Sequence, residues 1–542
     1  MSPGIGAAPP QVATIDRMKL APRGHALLGA AAASLCYFAL LLFSSAWLPI
    51  VWDEGDTIAR AELLASGDWG TPDQPWPYTT VREGHPPLSG WLIAGGLKIA
   101  PRWLSPLTQA RFGPMLLFAL AAGAMFYRLE RDYGVWQIGV MAMAVLITMP
   151  RLFAHAHFAT LDGPLTACWV LAWATFAPAC RDWRSAPLFG VALGLTLTAK
   201  FTGWLAPLPF LAWALLYRRT DALRALAIGL PVALAVFVTF NPPLWHDLSD
   251  GMRTFFALNL ERASRPGHNI STQFFGQMYN LDHSLPWYNT LVWTAITISP
   301  MSLLFGGVGI VSTVRRWRTD PISMLLVLQW ATLIVVRAFP GTPPHDAERL
   351  ILPSFAFFAA LAGVGIGRSL YRESLLLPDK IIAQGWAKVG MMIAVTASTF
   401  DALGYFPHNL SYYNRLTGGV RGATALGMEP TYYWDSLDQQ VLTWLDEHTG
   451  PTEKVAFGSA PPRNLELLHR WGLLKKLPGD EGTFRWYVIQ RRPSGYRPQD
   501  AWLIEHATPA FERSVKGVPL LEVYAYEDFE RATEATKPQA SP

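Results

Sequence analysis

Charge is scarce in this 542-residue chain. Charged residues make up 15% of it, against about 25% in a soluble globular protein. Hydrophobic residues reach 51%. That deficit, with repeated apolar runs near span length, excludes an ordinary soluble domain and indicates a polytopic membrane protein. Cysteine is scarcer still. Cys36, Cys168 and Cys180 are the three present, all in or at the ends of apolar runs and without zinc spacing. They imply neither a disulfide framework nor thiol chemistry, only apolar packing. No P-loop, no GxGxxG after a strand, no nucleophile elbow and no internal repeat occurs. The net charge of +4 is small. No basic arm or arginine-rich helix offers a nucleic-acid partner anything to bind.

Tryptophan is plentiful, at 23 residues, as suits two interfacial girdles. Residues 1–24 are rich in Pro, Gly and Ala and read as a disordered cytoplasmic tail. The first span, 25–50, is too long for a cleaved signal peptide. A loop over 51–105 follows, and its apolar end, 88–100, reads as an amphipathic helix on the membrane. Spans are expected over 108–127, 135–150 and 163–180. Two short spans over 186–217 meet at an outer turn, 200–203. Further spans are expected over 225–241, 289–311, 322–339, 350–367 and 384–404, with a long outer loop over 242–288. This makes about eleven transmembrane helices. Residues 407–531 turn more polar and alternate strand and helix patterns, so a small extracytoplasmic α/β domain is expected there. Helices are predicted at 436–448 and 464–471, strands at 454–458, 485–490 and 520–526, and a frayed tail at 532–542.

Arginines sit in clusters at alternate span ends: Arg128/Arg131, Arg181/Arg184, Arg218/Arg219, Arg315/Arg316/Arg318 and Arg368/Arg372. The positive-inside rule makes these ends cytoplasmic. Asp53, His85, Asp162, His246, Asp247, His345, Glu348 and Arg349 then all fall on the outer side. Polar groups gathered on one face suit a membrane enzyme, whereas a transporter places them near mid-membrane on broken helices.

The stretch VWDEGDT…TTVREGHPPLSGW, from Val51, organises these groups. Asp53 and Glu54 stand at a membrane surface, where acids are costly unless used or paired. They can deprotonate an acceptor, hold a divalent cation or simply cap a helix. His85 precedes two prolines that fix a rigid turn, which aims its ring or marks an ordinary loop histidine. Asp162, in LDGPL, is a second outer acid or a helix cap. His155 and His157 precede it, with spacing unspecific for metal. In HDAER, from His345, Arg349 can take a phosphate bidentately or snorkel. Lys200 offers a further cation. The aromatic stretch 411–435, with Asn414 and Asp435, can stack on sugars or pack a domain against the membrane rim.

An acidic DE after the first span, an HPPL turn later in that loop and an Asp opening the fourth span resemble the GT-C superfamily of integral-membrane glycosyltransferases. Protein O-mannosyltransferases and bacterial aminoarabinose transferases are the branches most similar. ERLILP at 348–353 is similar to the family's region near the donor phosphate. The aminoarabinose branch has Lys where His85 stands. The resemblance spans about 25–405 and implies a GT-C fold, a polyprenyl-phosphate sugar donor and extracytoplasmic catalysis in the plasma (inner) membrane. The acceptor is a protein, lipid or glycan. It implies inverting transfer with Asp53 as base and Glu54 and Asp162 orienting the acceptor or a divalent ion (Mg, Mn or Zn) held by Asp53 and Asp162. His85, Lys200, His345, Glu348 and Arg349 would bind substrate. The alternatives are a lipid-linked oligosaccharide ligase or polymerase, a lipid or glycan transporter, and a receptor or scaffold.

Overall fold

A computed structural model describes residues 23–67, 80–262, 269–371, 392–393, 395–476 and 484–537. Most of the tail expected over 1–24 and much of the span expected over 384–404 lie outside them. Among the described residues, five helices are long and apolar enough to cross a membrane: Gly24–Ser45, Pro106–Tyr133, Asp162–Arg181, Thr220–Thr239 and Ala347–Ser369. Shorter apolar helices stand beside them, among them Leu88–Ile99, Trp136–Ile147, Pro300–Arg315 and Pro321–Val336. This is the build of a multi-pass membrane protein.

Ala347–Ser369 is the central helix, almost wholly sheathed by protein. It packs on Pro300–Arg315 through Gly309 and Gly365. A Cβ on Gly309 would lie 2.0 Å from the Leu361 carbonyl, so backbone contact there demands glycine, as is usual where membrane helices touch closely.

Two breaks, one of them predicted, matter for the site. Ala186–Ala199 ends at Lys200, whose extended backbone (φ −162°) leads into a 3₁₀ turn, Phe201–Leu205, before Pro207–Leu216. The span expected over 289–311 is not continuous. It is two helices, Asn289–Thr297 and Pro300–Arg315. Pro300 cannot donate a backbone hydrogen bond, so the helix stops before it. Asn414, from the far end of the chain, fills the gap by donating to the carbonyls of Ala295 (2.6 Å) and Ile298 (2.7 Å).

A hairpin of β1 (Thr272–Phe274) and β2 (Gln277–Tyr279) lies in the long loop. The C-terminal sheet has β3 (Val455–Phe457), β4 (Trp486–Gln490), β5 (Phe511–Val515) and β6 (Val518–Ala525) in the order β3-β4-β6-β5. Helices Gln439–His448 and Pro462–Arg470 pack against it. The expected tail at 532–542 differs, because a helix runs over Tyr526–Ala535. Its sequence is charged, but Phe529 meets Phe484 edge-on and Tyr487 at a tilt, and Ala532 is buried. Residues 407–433, which open the expected C-terminal domain, pack into a cluster with Val51, Phe158 and Trp293 as well as with Val515, Val518 and Leu520 of β5 and β6.

Candidate active site

Asp53 and Glu54 are adjacent, yet the fold sends them different ways. Glu54 opens the helix Glu54–Ser66 and points inward. Arg111 meets it bidentately, at 2.7 Å for each contact, and the backbone amides of Val51 and Ala159 donate to it as well. Arg111 spends its other donors on the carbonyls of Ser45, Leu48 and Pro49. Neither side chain keeps any exposed surface. The pair ties the first span to the loop and to the turn before Asp162.

Asp53 points to a different space. Its Oδ2 accepts from Arg349 Nη1 at 2.5 Å and from the Tyr433 hydroxyl at 2.7 Å. Its side chain remains 32% exposed, against 2% for Asp162. Burial pushes the Asp53 carboxyl up, but Arg349 and the Tyr433 hydrogen bond outweigh it and hold the group at about 2. The residue is therefore an ionised, reachable carboxylate at neutral pH.

Arg349 is the hub. Beyond Asp53 it pairs with Asp346 at 2.6 Å and approaches Asp162 at 3.6 Å. Its guanidinium lies 4.4 Å over the Tyr433 ring. Asp162 does not cap its helix. Its carboxylate pairs with Lys200 at 2.6 Å, which explains why the chain breaks at that lysine. Asp53, Arg349, Asp162 and Lys200 thus form one alternating chain of charges, drawn from four separate stretches.

A second pair lies behind it. Glu348 is buried, accepting from Arg151 (2.7 Å) and from the Tyr432 hydroxyl (2.6 Å). His155 contacts that hydroxyl at 3.1 Å. Arg151 is sandwiched by Tyr413 and Tyr432, 4.4 and 5.1 Å from their ring centres. The tyrosines of 411–435 therefore pack domain against domain, and Asp435 is tied to Thr431.

His85 and His345 border the site. Burial lowers both imidazoles well below their ordinary range, and nearby cations, Arg262 among them, push the same way. Both are neutral at pH 7. Asp247 and His157 are not gathered in: Asp247 caps the helix Leu248–Leu260 and His157 bonds Ser44. Among the described residues no group of three or more His, Cys, Asp or Glu side chains gathers to hold a metal ion. The two acids expected as metal ligands, Asp53 and Asp162, each face a protein cation instead. They do not fit a resident divalent site.

Arg111, Arg151 and Arg492 belong to the networks around the site and were absent from the expected set, while Asp346 and Tyr433 lay in the stretches HDAER and 411–435 without being singled out. Arginines inside or at the end of an apolar run are themselves a signal, since such charges need buried partners. Arg111 and Arg151 carried it.

Residues 84–246 match the model of the dolichyl-phosphate-mannose-protein mannosyltransferase family. The match takes in His85-Pro86-Pro87-Leu88, Asp162 and Lys200. No match is found among curated proteins. ArnT from Cupriavidus metallidurans, solved with undecaprenyl phosphate bound, is similar in structure at 14% identity and a TM-score of 0.52, over 94% of this chain and 99% of that one. The oligosaccharyltransferase AglB from Archaeoglobus fulgidus, in complex with an inhibitory peptide and a dolichol-phosphate, has 13% identity and a TM-score of 0.48, over 86% and 69% of the two chains. The ArnT likeness is one of fold, and it runs through nearly the whole chain. The resemblance to GT-C, mannosyltransferase-like proteins drawn from WDE, HPPL and Asp162 stands.

Proposed function

We propose that this protein transfers a sugar, a hexose or pentose, from a polyprenyl-phosphate donor to an acceptor on the extracytoplasmic face of the plasma membrane. The acceptor is a protein, lipid or glycan. In this reading about eleven spans carry the site and the C-terminal domain on the outer side, as the arginine clusters suggest. The observation that carries the proposal is the Asp53–Arg349 pair: a reachable carboxylate within bonding distance of a buried cation.

The reaction is a single displacement. An acceptor O–H or N–H attacks the anomeric carbon while the bond from that carbon to the phosphate oxygen breaks. The proton passes to Asp53, and the electron pair leaves with the phosphate. Both described donors to Asp53 end on Oδ2, so Oδ1 takes the proton. A base on the face opposite the leaving group gives inversion. Arg349 and Lys200 neutralise the departing phosphate, a kind of stabilisation that is often the largest catalytic contribution. Asp162 holds Lys200 for this purpose. Neutral His85 and His345 offer hydrogen bonds rather than charge. Glu54 and Glu348 act at one remove, fixing the backbone on which Asp53 and Arg349 stand. The family match over residues 84–246 and the fold shared with a structure that binds undecaprenyl phosphate support the donor class.

The test is transfer of labelled sugar from polyprenyl-phosphate donors by purified protein in nanodiscs. Wild type should transfer or hydrolyse the donor. Asp53→Asn should lose at least about a hundredfold, the scale of a positioned base, while still binding donor. If no lipid-linked sugar is bound or turned over, the reading fails. If Asp53→Asn stays active, Asp53 is not the base.

A further inference from the structure

The C-terminal unit reaches the charge chain at two points. The first is Asn464, in the helix Pro462–Arg470 and 4% exposed. Its side-chain oxygen accepts from the Gly55 amide and its nitrogen donates to the Val51 carbonyl, both at 2.8 Å. One amide thus grips the backbone two residues before and two residues after Asp53. Position 55 must be glycine for this: a Cβ there would sit 2.4 Å from the Asn464 oxygen.

The second is Arg492, just after β4 and 2% exposed. It donates to the Tyr432 carbonyl at 2.6 Å, pairs with Asp346 at 3.1 Å and lies 4.0 Å over the Trp434 ring. Asp346 is the residue whose other oxygen holds Arg349. Asp346, Ala347 and Trp434 all have positive φ (61°, 49° and 53°), a backbone that L side chains rarely adopt and that surrounding structure must enforce. Arg492 touches both strained segments. It also carries charge into the network, facing Glu429 at 3.7 Å and balancing Asp346 so that Arg349 remains shared with Asp53.

We infer that Asn464 and Arg492 are positioning residues for the transfer reaction, Asn464 for the base and Arg492 for the phosphate-binding guanidinium. The site is then incomplete without the C-terminal unit. This rests on the roles proposed above for Asp53 and Arg349. Because the two residues brace different partners, their loss separates kinetically. Side chains that orient reacting groups control rate through displacements of an ångström or less.

The experiment compares full-length wild type, Asn464→Ala, Arg492→Met and Arg492→Met/Asp346→Asn in nanodiscs, after checking each for wild-type thermal unfolding. Asn464→Ala should lower kcat on the order of tenfold with little change in donor KM. Arg492→Met should raise donor KM on the order of tenfold. It should also move the acid limb of kcat/KM upward, because unbalanced Asp346 draws Arg349 from Asp53. Neutralising Asp346 in the double variant should restore part of that loss, which repair of a merely structural defect would not do. Should Arg492→Met fail to fold, Arg492→Gln removes the charge but keeps a hydrogen-bond donor and should show the same KM rise. Folded variants with wild-type kcat, KM and pH profile would overturn the inference. An inactive wild type would instead overturn the proposed reaction.

Discussion

Glu54 with Arg111 and Asp53 with Arg349 are two acid–arginine pairs whose acids are adjacent in sequence. In the first, every oxygen and nitrogen is satisfied, nothing is exposed, and the partners are all fixed backbone or each other. In the second, both described donors crowd one carboxylate oxygen, while the side chain stays a third open and the arginine is divided among three acids. A closed pair can only hold a fold together. An open, shared pair can exchange a partner for a substrate. The difference lies in the completeness of the hydrogen bonding, not in residue type.

Breaking the closed pair should cost the most. Glu54→Gln leaves Arg111 buried without its counter-charge, a loss of about 3–5 kcal/mol. Thermal unfolding in detergent should show it as a sharp fall in melting temperature or loss of folded protein. Near-normal melting with lost transfer would instead place Glu54 in the chemistry. The open pair should respond in activity rather than stability. In wild type, Asp53 protonates only near pH 2, so it adds no acid limb to kcat/KM above about pH 4. Arg349→Gln removes the main influence that lowers it and leaves burial to raise it against only the Tyr433 hydrogen bond and Lys200. The Asp53 limb should then appear at or above the ordinary carboxylate range of about 4, with a higher donor KM. A profile unchanged from wild type would separate the two groups functionally. The smallest effect is expected at His85. Held neutral by burial and by the cations around it, it should be replaceable by Gln with a loss of only about threefold, within what one neutral hydrogen bond contributes. A hundredfold loss would assign His85 a charged role.

The contrast also marks how far the sequence could be read. The break at Lys200, the helix start at Asp162 and the DE after the first span were legible because each stands out against an apolar run. Strands at 454–458, 485–490 and 520–526 were legible from alternation, and they fall on β3, β4 and β6. The pairing was not legible. Arg111 with Glu54 spans 57 positions and Arg349 with Asp53 spans 296, and nothing in local spacing distinguishes the saturated acid from the open one. The helix at Tyr526–Ala535 was missed for a related reason, since the rings that Phe529 meets, Phe484 and Tyr487, lie far earlier in the chain.

The repair of the split helix by Asn414 sets an order of assembly. Ile298 precedes Asn414 by 116 residues, so during synthesis both helices at the break are made well before the side chain that satisfies the open carbonyls at the end of the first. Until then those carbonyls must find water, since bare carbonyls in hydrocarbon are costly. The membrane domain is therefore finished from its far end: the last quarter of the chain closes a seam left in the middle. A chain released early at residue 407 would be short of more than a domain. It would keep an unsealed helix break beside the site.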